Sequence, residues 1–112
     1  MSGYAAAALD ALGDPNRRLI LERLAERPQA VGVLAATLPI SRPAVSQHLR
    51  VLKQAGLVRE SVEGTRHVYR VDPAGFATVQ DYLGRFWSTT MDNFARLAAA
   101  EAERSGEPGE RA

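Results

Sequence analysis

Polar side chains at positions 41–53 have the chemistry that recognition of double-stranded DNA requires. Arginine and glutamine can each form two hydrogen bonds to one base edge in the major groove, while serine and lysine suit backbone phosphates. On a helical wheel most of these side chains share one arc. The predicted DNA-contacting residues of this segment are Ser41, Arg42, Pro43, Ser46, Gln47, Arg50 and Lys53.

The helix that must carry this arc has boundaries that can be read from the sequence. Pro39 cannot continue a preceding helix, and the Ser41 hydroxyl can cap a helix that begins at Arg42. Gly56 is a typical residue to end it. The opposite arc is apolar and is predicted to pack against a core; it consists of Ala44, Val45, Leu49, Val51, Leu52 and Ala55.

The start of this helix is the part that we expect to approach the bases. In a helix-turn-helix the N-terminal residues of the recognition helix contact base edges, so Arg42, Ser46 and Gln47 are the first candidates. The alternative is an ordinary solvated helix surface. His48 falls within the apolar arc, which favours a packed, hydrogen-bonded histidine over direct base contact.

A β-hairpin is predicted directly after the helix, over residues 57–62 and 66–71, with a glycine turn at 63–65. Arg66 and His67 lie near its tip and are predicted to contact the DNA backbone or the minor groove. The alternative is a hairpin that only covers the core. A short helix predicted over 31–38 precedes the reading helix, so the order of elements is that of a winged helix-turn-helix.

Positive charge is concentrated in this part of the chain, although the formal net charge is only +1. Residues 41–71 contain six Arg or Lys and two Glu, a net charge of +4, whereas residues 72–112 carry −3 and residues 1–40 are neutral. A confined basic region is typical of a surface that contacts phosphates, and it predicts DNA binding that weakens steeply with salt.

The length and composition exclude several classes of protein. The chain has 112 residues and no cysteine, which excludes disulfides, thiolate metal sites and a cysteine nucleophile. The sequence contains no glycine-rich phosphate loop and no His and carboxylate pair at a recognisable spacing. It therefore gives no indication of an enzyme. No apolar run is long enough for a signal peptide or a membrane span, so we expect no membrane partner and a cytoplasmic location.

The predicted fold is mostly α with a small β-hairpin: five helices and a two-stranded wing. Asp14-Pro15 and Asp72-Pro73 each open a helix, with Asp as the cap and Pro in the first turn. We expect one DNA-binding and dimerisation domain over residues 1–104 and a disordered tail over 105–112, which is polar and interrupted by Pro and Gly.

The last helix carries a long apolar stripe that a small domain is not expected to bury alone. All three Phe and the only Trp fall on it. We expect the same helix and the N-terminal helix of a second copy to cover it, which would place two recognition helices on a pseudo-palindromic site. The alternative is a helix folded onto its own core. The predicted dimerisation residues are Leu9, Leu12, Phe76, Val79, Leu83, Phe86, Trp87 and Phe94.

Together these motifs resemble the ArsR/SmtB family of bacterial winged-helix regulators. The resemblance rests on LGDPNRRLIL at 12–21, VGVLA at 31–35, SRPAVSQHLRVL at 41–52, GLV at 56–58 and EGTRHVY at 63–69. It implies a homodimer that binds operator DNA near a promoter and responds to an effector. The family's DNA-contacting positions fall on Arg42, Pro43, Ser46 and Gln47. Whether the protein acts as a repressor or an activator is not encoded in these residues.

The chain departs from the family's metal sensors at the effector site. Family members often carry cysteines on either side of a valine in the third helix, and here those positions are Ala30 and Gly32. Because these cysteines are absent, we expect no thiolate metal site and no required cofactor. One alternative is a Ni²⁺ or Zn²⁺ effector on nitrogen and oxygen ligands, from among His48, His67, Asp72, Asp81, Asp92 and the terminal amine. Another is a protein-interaction adaptor on the same scaffold.

Overall fold

The computed structural model describes residues 3–106, which form five helices and three strands. In chain order they are α1 (Gly3–Ala11), α2 (Pro15–Glu26), β1 (Gln29–Ala30), α3 (Val31–Ala36), α4 (Arg42–Gln54), β2 (Val58–Glu63), β3 (Arg66–Val71) and α5 (Pro73–Ser105). The described part of the chain divides into two compact units, the first ending at Gln80 and the second beginning at Asp81. The predicted winged helix-turn-helix is confirmed and lies in the first unit.

Local capping explains where α2 and α4 begin. Asp14 Oδ1 accepts hydrogen bonds from the backbone N–H groups of Asn16 and Arg17, at 2.8 and 3.2 Å. Ser41 Oγ accepts one from the N–H of Ala44 at 3.2 Å. Each helix also has Pro in its first turn, where a missing N–H removes no helical hydrogen bond. These caps confirm the predicted starts of both helices.

The core of the first unit is formed by apolar side chains from every helix in it. The largest fully buried ones are Ile20, Leu34, Val45, Leu49, Leu52 and Leu57. The apolar arc of α4 is buried as predicted at Val45, Leu49, Leu52 and Ala55, whereas Ala44 is half-buried and Val51 is 38% exposed. Because Val51 is about 100° from Leu52 around the helix, it lies at the margin of the buried arc.

The sheet has three strands in the order β1-β3-β2, all antiparallel. The hairpin of β2 and β3 was predicted, but the two-residue strand β1 was not, because two residues carry no alternating pattern. Its pairs are Gln29 with Tyr69 and Ala30 with Val68. Gly64, the first turn residue of the hairpin, has a φ of +68°, a value that the tight two-residue turn favours and glycine tolerates.

Several predicted boundaries differ from the structure. The first hairpin strand was expected over 57–62 but runs from Val58 to Glu63, which leaves a turn of two residues, 64–65, in place of 63–65. The third helix was expected over 31–38 but ends at Ala36, where the N–H and the hydroxyl of Thr37 both donate to the Leu34 carbonyl and close the last turn. Ser105, expected in a disordered tail, is the last residue of α5. Gly106 follows it with a φ of +72°. The remainder of the expected tail, 107–112, lies outside the described residues, and its disorder stays a prediction.

The start of α5 contacts the turn between α4 and β2 at very short range. A Cβ placed on Gly75 would lie 1.9 Å from the Gly56 carbonyl oxygen, so this position requires glycine. The Asp72 N–H also donates to the Leu57 carbonyl at 2.9 Å. These contacts fix the first turns of α5 within the first unit.

Among the described residues no helix is both long and apolar enough to cross a membrane.

Candidate nucleic-acid interface

The polar arc of α4 is exposed along its whole length. Every residue predicted to contact DNA from this segment is accessible: Ser41, Arg42, Pro43, Ser46, Gln47, Arg50 and Lys53. Arg66 and His67 are exposed at the hairpin tip as well. The wheel therefore predicted correctly which side of the helix faces outward, although exposure alone does not assign a contact to any of these residues.

Glu60 on β2 pairs with two of the side chains that were predicted to contact DNA. Its Oε1 lies 2.9 Å from Lys53 Nζ, and its Oε2 lies 2.6 Å from His67 Nδ1. The hydrogen bond from Lys53 is the main reason that the pKa of Glu60 is lowered; burial opposes this shift and His67 adds to it. The same hydrogen bond raises the pKa of Lys53. Glu60 thus joins the end of α4 to both wing strands.

Sequence reasoning missed Glu60, although the hairpin register would have revealed it. Glu60 is opposite Tyr69, and His67 is opposite Val62, so Glu60 and His67 are diagonal neighbours on one face of the sheet. Burial, followed by the Glu60 charge and a hydrogen bond to it, raises the pKa of Tyr69. The four polar groups form one connected cluster.

Pairing with acidic residues leaves a smaller set of free cations than the sequence suggested. Arg70 lies 3.0 Å from Glu63, in addition to the Lys53 and Glu60 pair. Within residues 3–106, four arginines of the basic region have no acidic side chain as partner: Arg42, Arg50, Arg59 and Arg66. Arg59 was not among the predicted DNA-contacting residues.

A groove of about 490 Å³ lies between the start of α3, the start of α4 and the hairpin tip. Arg42 lines it from α4, and Thr65, Arg66 and His67 line it from the wing. The Arg42 guanidinium lies over Gly32 of α3: a Cβ on Gly32 would be 3.4 Å from Arg42 Nη1 and 3.7 Å from Cζ. No acidic residue of the described chain lines this groove.

The chain matches a known family in sequence and in structure. A family model described as "Bacterial regulatory protein, arsR family" matches residues 14–60. The HTH-type transcriptional regulator Rv2034 of Mycobacterium tuberculosis is 52% identical over 96 residues, which cover 86% of this chain and 90% of that protein. The chain belongs to the ArsR family. Its relatives are transcriptional regulators, and this ArsR protein is therefore a regulator of the same type and not an enzyme.

Solved structures agree with the family assignment. An ArsR-like transcriptional regulator from Rhodococcus sp. RHA1 superposes with a TM-score of 0.74 at 30% identity, covering 94% of both chains. A second structure, described as a possible transcriptional regulator for arsenical resistance, has a TM-score of 0.66 at 41% identity and covers 83% of this chain and 94% of its own.

The predicted dimerisation residues of the ArsR protein fall into two groups. Leu9, Leu12 and Phe76 are half-buried against the core of the first unit, and Val79 is only 7% exposed within it. Val79 is buried by residues of its own protomer, so it offers almost no surface to a partner. In the second unit Leu83 is 49% exposed, and Phe86, Trp87 and Phe94 are each 63% exposed.

The candidate metal ligands of the ArsR protein are not gathered into a site. Among residues 3–106, no three His, Asp or Glu side chains lie close enough to hold a metal ion together. His67 instead faces Glu60. His48 is half-buried, but its buried Nδ1 has no hydrogen-bond partner within the described part of the chain, so the hydrogen bond expected for it is not observed at this nitrogen. The terminal amine lies outside the described residues.

Proposed function

We propose that this ArsR protein binds a pseudo-palindromic operator as a homodimer, with α4 of each copy in the major groove and each wing beside the DNA backbone. The observation that carries the proposal is the exposed face of α4 together with four arginines on α4 and the wing that have no acidic partner in the described part of the chain. Unpaired cations next to exposed amide and hydroxyl groups suit a surface that contacts both phosphates and base edges.

Base recognition is assigned to Ser46 and Gln47. Both are exposed in the first half of α4, and no hydrogen bond holds either side chain against the protein within residues 3–106. The Gln47 amide can donate to and accept from a single base edge, for which adenine is the best match. Pro43 is also exposed, and its ring can make only apolar contacts.

The proposed partner for the second unit is another copy of the same chain. Exposed Leu83, Phe86, Trp87 and Phe94 recur at steps of three, one and seven residues, which keeps them on one side of α5. Leu97, 69% exposed, continues the stripe. A contiguous apolar stripe of this length is rarely left in water, and a two-fold dimer would cover it in both copies.

The experiment that tests the proposal is selection of duplexes from random-sequence DNA by the full chain. We expect an enriched pseudo-palindrome with half-sites about one helical turn apart, bound by two chains according to light scattering. The Gln47→Ala variant should lose about 1–3 kcal/mol of discrimination between the selected duplex and a scrambled one. Recovery of no enriched sequence would contradict operator binding and favour the adaptor alternative, and one chain per duplex would contradict the dimer.

The effector is proposed to act without thiolates, because the chain contains no cysteine. If Ni²⁺ or Zn²⁺ is the input, nitrogen and oxygen ligands must hold it. The selected duplex allows a direct test: fluorescence anisotropy with and without each ion. A reproducible change in affinity that EDTA reverses would establish a metal-responsive regulator, and unchanged affinity would exclude these two ions as effectors.

A further inference from the structure

We infer that Arg42 binds a DNA backbone phosphate in the groove between α3 and the wing tip, together with Arg66, and does not read a base. The inference rests on the proposed function and assigns a ligand to one part of that surface. It also changes the expectation from the sequence, in which Arg42 was a first candidate for base contact because it begins the recognition helix.

The direction of the Arg42 side chain is the first observation. Three guanidinium atoms lie within 4 Å of the Cβ position of Gly32: Nη1 at 3.4 Å, Cζ at 3.7 Å and Nη2 at 3.9 Å. Gly32 is on α3, the helix that precedes the turn. The charged end of Arg42 therefore lies next to the start of α3.

The charges around the groove are the second observation. Arg42 enters it from α4 and Arg66 from β3, and no acidic residue of the described chain lines it. Two other cations of the basic region are paired with carboxylates, Lys53 with Glu60 and Arg70 with Glu63. Arg42 and Arg66 have no such partner among the described residues, so the groove that they line presents uncompensated positive charge and suits an anion. On a DNA duplex the anion available to such a groove is a backbone phosphate, with which arginine forms strong paired hydrogen bonds.

The opposite side of the groove is the third observation. The Thr65 hydroxyl at the hairpin tip adds an exposed hydrogen-bond donor on the opposite side of the groove. Phosphate contacts set the position of a protein on DNA without reading sequence. Arg42 would thus hold α4 in register while Ser46 and Gln47 discriminate between bases.

The test measures binding of the full chain to the selected duplex and to a scrambled duplex of equal length over a range of salt concentrations. The variants are Arg42→Ala, Arg42→Lys, Gln47→Ala and the control Arg27→Ala, which removes one positive charge outside the surface. We expect Arg42→Ala to weaken binding to both duplexes by the same factor, about tenfold or more. The slope of log K against log salt should fall by about 0.9 for each protomer, or about 1.8 for a dimer.

The remaining variants separate a phosphate contact from a base contact. Arg42→Lys should restore the salt slope, because lysine keeps the positive charge, but only part of the affinity, because it cannot form the paired hydrogen bonds of a guanidinium. A tenfold loss of discrimination between the two duplexes in Arg42→Ala would assign Arg42 to a base and overturn the inference; unchanged binding would overturn it as well. If the wild-type chain binds neither duplex in a salt-dependent manner, the proposed function itself fails. Circular dichroism of each variant checks that the fold is intact.

Discussion

At the scale of single residues, the availability of each basic side chain of α4 and the wing depends on whether an acidic residue lies next to it. Lys53 and His67 share one carboxylate, whereas Arg42 and Arg66 meet none within the described residues. Lys53, Arg42 and Arg66 carry the same charge, but their availability to DNA differs. Charge counts along a chain therefore overestimate the number of phosphate contacts whenever an acidic residue is folded next to a basic one.

Glu60 gives a prediction about DNA affinity at this scale. The Glu60→Gln variant removes a negative charge and releases the Lys53 ammonium, which should strengthen binding to both specific and scrambled duplexes and make it more salt-dependent. Anisotropy titrations at two salt concentrations measure this change. Glu22→Gln, an exposed position on α2, is the control for the loss of one negative charge. Equal or weaker binding by Glu60→Gln would show that Lys53 does not contact DNA when released.

Gly75 gives a prediction about stability. Gly75→Ala would place a Cβ 1.9 Å from the Gly56 carbonyl oxygen and 2.6 Å from its carbon, so backbone must move to admit it. We expect a loss of about 1–3 kcal/mol or more in the free energy of unfolding. Gly84→Ala is the matched control, because nothing lies within 4 Å of its Cβ position and alanine favours a helix by about 0.5–1 kcal/mol. Urea unfolding at one fixed protein concentration compares them, and equal stability of both variants would contradict the close contact.

At the scale of elements, the wing is connected to the recognition helix by polar contacts as well as by the core. The Glu60 carboxylate pairs with Lys53 of α4 and His67 of β3. The apolar residues Leu57, Val58 and Val68 are buried near these pairs. The short strand β1 extends the sheet on its other side. The orientation of the hairpin tip relative to α4 is consequently determined by contacts near the base and the middle of the wing.

The pH dependence of stability follows from the Glu60 pKa. Folding lowers this pKa below its ordinary value of 4.5, so the charged carboxylate stabilises the folded state. That contribution is fully present above pH 4.5 and is lost as the pH falls further, through the folded-state pKa. We expect wild type to melt at a higher temperature than Glu60→Gln at pH 7, and the difference to shrink steadily below pH 4.5. A difference that stays constant down to pH 3 would contradict the assignment.

At the scale of the whole molecule, the second unit leaves its large apolar side chains exposed, while the first unit buries most of its own. Phe86, Trp87 and Phe94 are each 63% exposed in the protomer. This contrast supports an assembly of two copies, and Trp87, the only tryptophan, provides a spectroscopic probe of that assembly.

The dimer gives a prediction that a single charge can test. Phe94→Glu would place a carboxylate in the proposed interface and should convert the dimer into a monomer. Light scattering after size-exclusion chromatography measures this change. The emission of Trp87 should shift to the red, because the tryptophan becomes exposed to water. Ala99→Glu adds the same charge on the opposite side of α5, by about 100° per residue, and should remain dimeric. A monomeric Ala99→Glu, or a dimeric Phe94→Glu, would contradict this interface.

The sequence by itself determined the helices, the hairpin and the outward face of α4. These features depend on neighbours along the chain: the Ser41 cap, the Asp14-Pro15 and Asp72-Pro73 starts, and the glycine turn at Gly64 act over one helical or hairpin turn. Apolar periodicity extends this information to whole elements, and it failed only at the margin, as at Val51.

Only the tertiary structure decided which polar groups meet. The Glu60 cluster, the position of Arg42 over Gly32 and the contact of Gly75 with Gly56 each join residues from different elements, and β1 exists only because β3 is beside it. The apolar stripe of α5 was likewise one pattern in the sequence, yet Val79 is buried and Phe94 is exposed. Ion pairs and close contacts depend on distances of a few ångströms in space, and such distances between separate elements are absent from the spacing of residues along a chain.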